Sequence, residues 1–335
     1  MKYEDAGVNI DRKAGALKAA SAKIKGTYTP EVLWGLGAFG GMFDASRLKG
    51  LEQPVLVAST DGVGTKTLLA AQTGRWDGLG FDIVNHCVND LLVQGAKPLF
   101  FLDYVASARL EADVLGAVLE SLAEACKAAG MPLLGGETAE MPGVYHPGGL
   151  DLVGTIVGVV DRPKIVDGSR VEPGDLILAL PSSGLHTNGY SLARKVFENW
   201  DLEESRPELG GISLATALLK PHKSYLEPVS WLLESGLEVR AMAHITGGGV
   251  YENLPRVLPE GLGAEIQTGT WAIPPIFGLI QQLGQVEQAE MFRVFNMGLG
   301  YLIVMKESDA EQALQTLGMG YCVGRIVAGA GVRVL

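Results

Sequence analysis

The chain has 335 residues, 47% of them hydrophobic, and a formal net charge of −11 with a pI near 5.0. Its length exceeds the roughly 100 to 200 residues of a single domain and predicts two. The acidic balance excludes a nucleic-acid backbone as partner, because such affinity comes from clustered Lys and Arg, and it means that an anionic nucleotide would have to be held with metal ions. Cys87, Cys126 and Cys322 share no CxxC spacing, so they are read as reduced thiols, the first two in apolar helical patterns. The start of the chain has no apolar run. The longest uncharged stretch, 266–286, contains Pro274-Pro275 and four glutamines, which disqualifies it as a membrane span. The expectation is a soluble, cytoplasmic protein.

In chain order, a polar start leads into Gly35-Leu36-Gly37-Ala38-Phe39-Gly40-Gly41, formally a GxGxxG string. The dinucleotide fingerprint requires a preceding strand, whereas residues 28–31 contain Pro30 and read as loop. A glycine-rich cover over phosphates and an ordinary surface loop both fit. Residues 54–59 read as a buried strand and 65–73 as a helix. The next helix spans 81–95, followed by a strand at 99–106, an amphipathic helix at 113–129, a short strand at 133–134 ending in Gly135-Gly136, and a strand at 152–160. The charged, Pro- and Gly-bearing stretch 161–175 reads as a connector. The pattern restarts with a strand at 176–180 and a helix at 188–200. The expected fold is therefore α/β (α+β) in two domains, 1–163 and 164–335.

Four segments carry candidate chemistry. Ser59-Thr60-Asp61-Gly62-Val63-Gly64-Thr65-Lys66 puts a carboxylate, glycine amides, a hydroxyl and an amine at a helix start, where unpaired N–H groups favour anions; the same residues also suit a plain turn and cap. In the 81–95 helix, Ile83, Val84, Cys87, Val88, Leu91 and Leu92 form the apolar stripe. Asp82, Asn85, His86, Asn89 and Asp90 form a second stripe lacking Lys and Arg, read as facing a site, with His86 read as a hydrogen-bonded structural histidine. Gly135-Gly136-Glu137-Thr138-Ala139-Glu140 places acids past a strand end, where α/β sheets gather ligands. Asp61, Asp90 and Glu137, three oxygen donors without adjacent Cys or His ligands, suit Mg²⁺. In the second half, 182–191 and His244-Ile245-Thr246-Gly247-Gly248-Gly249 each follow a strand and open a helix, as phosphate cradles do. Ser183 with His186 is not a hydrolase pair, because there is no GxSxG elbow.

Together, Asp5-Ala6-Gly7-Val8, residues 60–66, Val88-Asn89-Asp90-Leu91 with Gln94-Gly95-Ala96, residues 100–104, 135–143 with Tyr145-His146, 182–191 and 246–249 closely resemble the phosphoribosylformylglycinamidine cyclo-ligase family. The resemblance covers essentially the whole chain. It implies an N-terminal domain that pairs across a homodimer into a shared β-barrel, a C-terminal α/β domain, and ATP with Mg²⁺, with K⁺ as a further candidate cation. It implies conversion of formylglycinamidine ribonucleotide and ATP into aminoimidazole ribonucleotide, ADP and phosphate. By the same resemblance Asp61, Lys66, Asp90, Glu137 and His186 are catalytic candidates. Lys25, Gly37, Gly40, Gly62, Gly64, Thr65, Asn89, Gly135, Gly136, Gly247 and Gly248 are ATP candidates, and Ser182, Ser183, His186, Asn188 and Ser191 are substrate candidates. Two departures stand out. Only Thr27-Tyr28-Thr29 separate the Ile24-Lys25-Gly26 string from Pro30, where the family has a longer basic segment. Pro221-His222-Lys223 replaces a common Pro-Thr-Arg string; Val250 and Val294 also stand where the family often has an aromatic residue and a threonine respectively. A related small-molecule kinase and a silent nucleotide-binding scaffold are the competing readings.

Overall fold

The computed structural model describes residues 10–335, with side chains from Gly15 onward; the Asp5-Ala6-Gly7-Val8 string lies outside the described residues. Two compact units emerge, one running through Leu91 and resuming at Ala96–Pro163, the other comprising Leu92–Gly95 and Lys164–Leu335.

The first unit begins with helix α1 (Ile10–Lys25), which the sequence reading missed. Its buried stripe is Ala16, Ala20 and Ile24, spaced at i, i+4 and i+8 but mostly too small to register as an apolar face. A short antiparallel hairpin of β1 (Val32–Trp34) and β2 (Met42–Phe43) follows, so the glycine-rich string 35–41 is a hairpin tip. Then come β3 (Pro54–Gly62), α2 (Lys66–Thr73), α3 (Leu79–Leu92), β4 (Lys97–Ser107), α4 (Ala112–Ala128), β5 (Leu133–Glu140) and β6 (Leu150–Asp161). The sheet order is β3-β6-β4-β5, with only β4 and β5 parallel. That parallel pair needs a crossover, which α4 provides; α1 lies along α4 and ties to it through Lys23 to Glu120 and Glu124 at 2.7 and 3.1 Å.

The sheet has one covered and one half-open face. Along β6, Leu152, Ile156 and Val160 are buried while Val153, Val157 and Val159 are not, the period-two pattern of a sheet packed on one side. Helix α3 covers the buried side, with Ile83 seated at Gly154 and Leu91 at Gly158, where any Cβ would collide with them. On the other side the register aligns Leu56 with Val159, and Ala58 with Val157 and Phe100.

The second unit contains β7 (Leu176–Pro181), α5 (Tyr190–Val196), α6 (Leu214–Leu218), α7 (Leu226–Glu234), β8 (Val239–His244), α8 (Gly249–Asn253) and β9 (Leu262–Ile266). It continues with α9 (Pro275–Gly284), α10 (Gln288–Val294), β10 (Leu299–Met305), α11 (Ala310–Leu317), β11 (Tyr321–Ala328) and β12 (Gly331–Val334). Its sheet order is β12-β9-β11-β7-β10-β8, with β12 and β9 the one parallel pair. Strands β8 and β10 are buried along their whole length, and Leu178, Met242, Tyr301 and Ile303 form a core with Val229 and Leu232 of α7 and Leu317 of α11. Among the described residues no helix is long and apolar enough to cross a membrane. Cys87 and Cys126 are buried free thiols, and Cys322 is exposed and free.

Candidate functional site

In the first unit, segment 59–66 and the polar stripe of α3 turn out to be two sides of one arrangement. His86 Nε2 lies 2.9 Å from Asp61 Oδ2 and 3.5 Å from Asp90 Oδ2, and Ser59 Oγ donates to Asp90 Oδ2 at 3.3 Å. Asp61 Oδ1 accepts the Gly62 N–H at 2.6 Å. Burial of His86 disfavours its charged form, but hydrogen bonds and charge from Asp61 and Asp90 outweigh this and lift its pKa to about 9. At Asp61 burial pulls upward, and the hydrogen bond and charge of His86 prevail to hold the carboxyl below its usual range. The result is an imidazolium shared by two carboxylates, with both acids partly open to solvent at 45% and 29% exposure.

The polar stripe is largely enclosed: Asp82, Asn85, His86 and Asn89 are buried and only Asp90 is partly exposed, with Ser59, Asp61 and Lys66 in contact with it. Lys66, expected in the catalytic set, is fully buried and paired with fully buried Asp82 at 2.7 Å. Burial lowers its pKa against the opposing pull of Asp82. Its ammonium is placed to hold α2 onto α3. Gly64 has φ +69° and precedes Thr65, which occupies the N-cap of α2 without a side-chain cap hydrogen bond.

Glu137 does not join Asp61 and Asp90. Strand β5 does not end at Gly135-Gly136 as the sequence suggests; it continues to Glu140, paired with β4. A Cβ at Gly136 would collide with the Asp103 side chain, so glycine is what lets β5 stay in register there. Glu137 therefore sits on the edge strand opposite β3, three strand spacings or about 14 Å away. It lines a pocket of about 200 Å³ together with Asp103, Gly37, Gly135, Gly136 and Thr138, walled by Leu17, Ile24, Leu36, Leu119 and Leu133. Burial and the nearby Glu137 charge raise the Asp103 pKa to about 7, against its own backbone hydrogen bond. Lys25 closes α1 beside this wall with an exposed side chain, and Gly40 is exposed at the hairpin tip.

In the second unit the two predicted loops meet. A Cβ at Gly247 would stand 3.2 Å from Asn188 Oδ1. Ser182 Oγ donates to Asn296 Oδ1 at 2.9 Å, Ser183 Oγ to Pro221 O at 2.7 Å, and the Ser183 N–H to His186 Nε2 at 3.2 Å. The hydroxyls thus hold the loop in shape, and His186, 1% exposed, is packed inside it; Asn188 and Ser191 remain accessible. Helices α5 and α8 have seven and five residues, so their dipoles add little to any phosphate cradle.

Residues 44–160 match the description "AIR synthase related protein, N-terminal domain", and residues 172–335 match "AIR synthase related protein, C-terminal domain". A phosphoribosylformylglycinamidine cyclo-ligase of Bacillus cereus (strain ZK / E33L) is 49% identical over 337 residues, covering 98% of this chain and 96% of its own. This chain belongs to the phosphoribosylformylglycinamidine cyclo-ligase family. The cyclo-ligase fold extends to more distant proteins. Thiamine-monophosphate kinase from Stenotrophomonas maltophilia K279a superposes with a TM-score of 0.68 at 18% identity, covering 94% of this chain and 95% of that one. Hydrogenase maturation protein HypE in complex with ATP gives 0.67 at 17% identity, covering 91% and 84%.

Several residues that shape these candidate sites carry no clear signal in the sequence. Asp103 lay inside an apolar strand pattern, and its pocket position follows from the β4–β5 register. Asn296 accepts from Ser182 Oγ and the Gly298 N–H and donates to Gly184 O; nothing local in the sequence separates it from a loop asparagine. Asn253 donates to Gly247 O and Gly249 O, and its spacing from the triple glycine was the available signal.

Proposed function

We infer that this chain catalyses the ATP-dependent cyclisation of 5'-phosphoribosylformylglycinamidine to 5-aminoimidazole ribonucleotide in purine biosynthesis, with release of ADP and phosphate. The observation that carries the reading is 49% identity across nearly the full length of both chains. In the reaction the formyl amide oxygen attacks the γ-phosphorus, and the bond to the β,γ-bridging oxygen breaks to give ADP. The amidine nitrogen of the same substrate then bonds to the activated carbon, phosphate departs with the former amide oxygen, and a proton is lost. Ring closure is intramolecular, so the protein chiefly positions atoms and balances charge.

The first unit supplies the charge balance. Asp61 and Asp90 fit a hard cation such as Mg²⁺, because both are oxygen donors, already drawn together by His86 and partly open. A bound Mg²⁺ there would neutralise phosphate charge. His86 fixes both carboxylates and offsets their repulsion when no cation is present. Glu137 and Asp103 serve the separate pocket under Gly37, where the apolar walls suit a base and the carboxyl groups suit its polar edge. In the second unit Asn188 and Ser191 are the accessible loop groups for substrate, held in place by Asn296 and Ser183. The half-open sheet face supports a homodimer, since a second copy would cover it.

The test is incubation of the purified chain with ATP, Mg²⁺ and formylglycinamidine ribonucleotide while following the aromatic amine product. Equal amounts of ADP and aminoimidazole ribonucleotide are expected. ADP with an uncyclised phosphorylated product would favour a kinase, and ATP binding without turnover a scaffold; either result overturns the reading.

A further inference from the structure

We propose that His186, His222 and His244 form a binding site for one divalent transition-metal ion of the Zn²⁺ class, independent of the cyclo-ligase reading. The three imidazoles come from three separate segments of the second unit: the loop after β7, the turn before α7 and the last residue of β8. They are 1%, 1% and 4% exposed. His186 stacks on His222 with ring centroids 4.0 Å apart, and His222 Nε2 stands 2.9 Å from His244 Nε2. One ligand atom from each lies within 4.8 Å of the other two.

Nitrogens bound to a tetrahedral ion at about 2.0–2.1 Å lie about 3.3 Å apart. The His222–His244 pair is already close to that spacing, and His186 has to turn out of its stack on His222 and close by at most about 1.5 Å to complete the set. The outer hydrogen bonds fix which ring atoms point inward. Thr187 Oγ1 contacts His222 Nδ1 at 3.4 Å, which leaves its Nε2 for the centre, and the Ser183 N–H donates to His186 Nε2, which leaves its Nδ1. The 2.9 Å contact of the two Nε2 atoms is met either by one neutral ring donating its N–H to the other or by a metal ion bound to both. Three imidazoles select Zn²⁺, Co²⁺, Ni²⁺ or Cu²⁺ over Mg²⁺, in contrast to the carboxylates of the first unit. Three nitrogen ligands also leave a fourth position open to water or an oxyanion. An ion there would pin the 182–191 loop to the end of β8.

The full chain, saturated with Mg²⁺ so that carboxylate sites are occupied, is titrated with Co²⁺. One tightly bound equivalent is expected, with visible d–d absorption, displacement by Zn²⁺, and an X-ray absorption edge fitted by three imidazole scatterers. Zn²⁺ is expected to raise the melting temperature. His222→Thr, with wild-type circular dichroism, is expected to lose at least about 100-fold in Co²⁺ affinity. Equal affinity in the two proteins, no Co²⁺ binding, or an all-oxygen shell shows a hydrogen-bonded histidine cluster only and overturns the proposal. If His222→Thr does not fold, the edge spectrum of the wild-type protein decides alone.

Discussion

His86 Nε2 stands 2.9 Å from Asp61 Oδ2, a contact between an imidazole 3% exposed and a carboxylate 45% exposed. The buried partner gains its proton from this contact: the His86 pKa rises from 6.5 to about 9 despite burial. A raised pKa contributes stability that is complete below 6.5 and is lost as pH climbs through about 9. Asp61, held below 3.8, contributes stability above that value and loses it as pH falls through its depressed folded value. In metal-free buffer the wild-type protein should therefore lose on the order of 2 kcal/mol from this pair between about pH 6 and about pH 10. His86→Gln should flatten that part of the melting profile. Parallel profiles for the two proteins would show that the pair does not share a proton as described.

Lys66 and Asp82 form the other charged pair at the start of the β3–α2–α3 segment, both without exposure. Removing one partner strands a buried charge, so Lys66→Met should cost about 3 to 5 kcal/mol. The double variant Lys66→Met, Asp82→Leu removes both charges and should recover most of that loss. Turnover per folded molecule in the double variant should stay within about tenfold of wild type if the ammonium, fully buried against Asp82, serves the fold alone. A folded double variant without activity would return Lys66 to the catalytic set.

The sequence revealed the segments of the first-unit site but not their mutual arrangement. The 59–66 string and the α3 stripe were both visible as unusual polar patterns, because Asn and Asp on a helix face carry a propensity penalty that asks for a reason. Their pairing depends on the turn between β3 and α2, which no periodicity reports. Residue type and a place after a strand end group Glu137 with Asp61 and Asp90 in the sequence. Strand order β3-β6-β4-β5 separates them, and sheet order is a long-range property. Helix α1 was hidden because alanine makes a weak apolar stripe. Lys66 looked functional because an amine beside a glycine turn is common to phosphate loops and to buried ion pairs, and burial alone distinguishes the two.

Asp90 is the less exposed of the two carboxylates on His86 and receives the Ser59 hydroxyl. Asp90→Asn keeps the shape and the hydrogen-bond acceptor while removing the charge. Turnover is expected to fall by about 100-fold or more, with stability changed by no more than about 1 kcal/mol. The deficit should deepen at low Mg²⁺. Wild-type activity of the variant at limiting Mg²⁺ would remove Asp90 from the cation site.

The half-open face of the first-unit sheet presents Leu56, 62% exposed, in register with Val159. An apolar sheet face of this kind is normally covered. Sedimentation at micromolar concentration should give twice the 35.4 kDa chain mass. Leu56→Asp should shift the protein toward the single-chain mass while leaving its circular dichroism intact. A wild-type protein that sediments as one chain rules out the dimer.

Gly247 and Gly248 are adjacent but ask different questions of the second-unit loop. Gly248 has φ +90°, and a Cβ there would stand 2.5 Å from Glu252 Cβ. Any side chain at 248 therefore strains the backbone by about 1 to 3 kcal/mol and disturbs α8 at the same time, so lost activity would report lost structure. Gly247 has no such restriction on φ. An added methyl meets Asn188 Oδ1 at 3.2 Å, close enough to displace that amide by a few tenths of an ångström. Gly247→Ala should consequently change stability by less than about 1 kcal/mol. If Asn188 orients the ribonucleotide substrate, its kcat/KM should fall by about 10- to 100-fold, since small misplacements at a reacting centre are amplified. The KM for ATP should stay near the wild-type value. Unchanged kinetics toward both substrates would show the Asn188–Gly247 contact to be a passive crossing of two loops and would take Asn188 out of the substrate site.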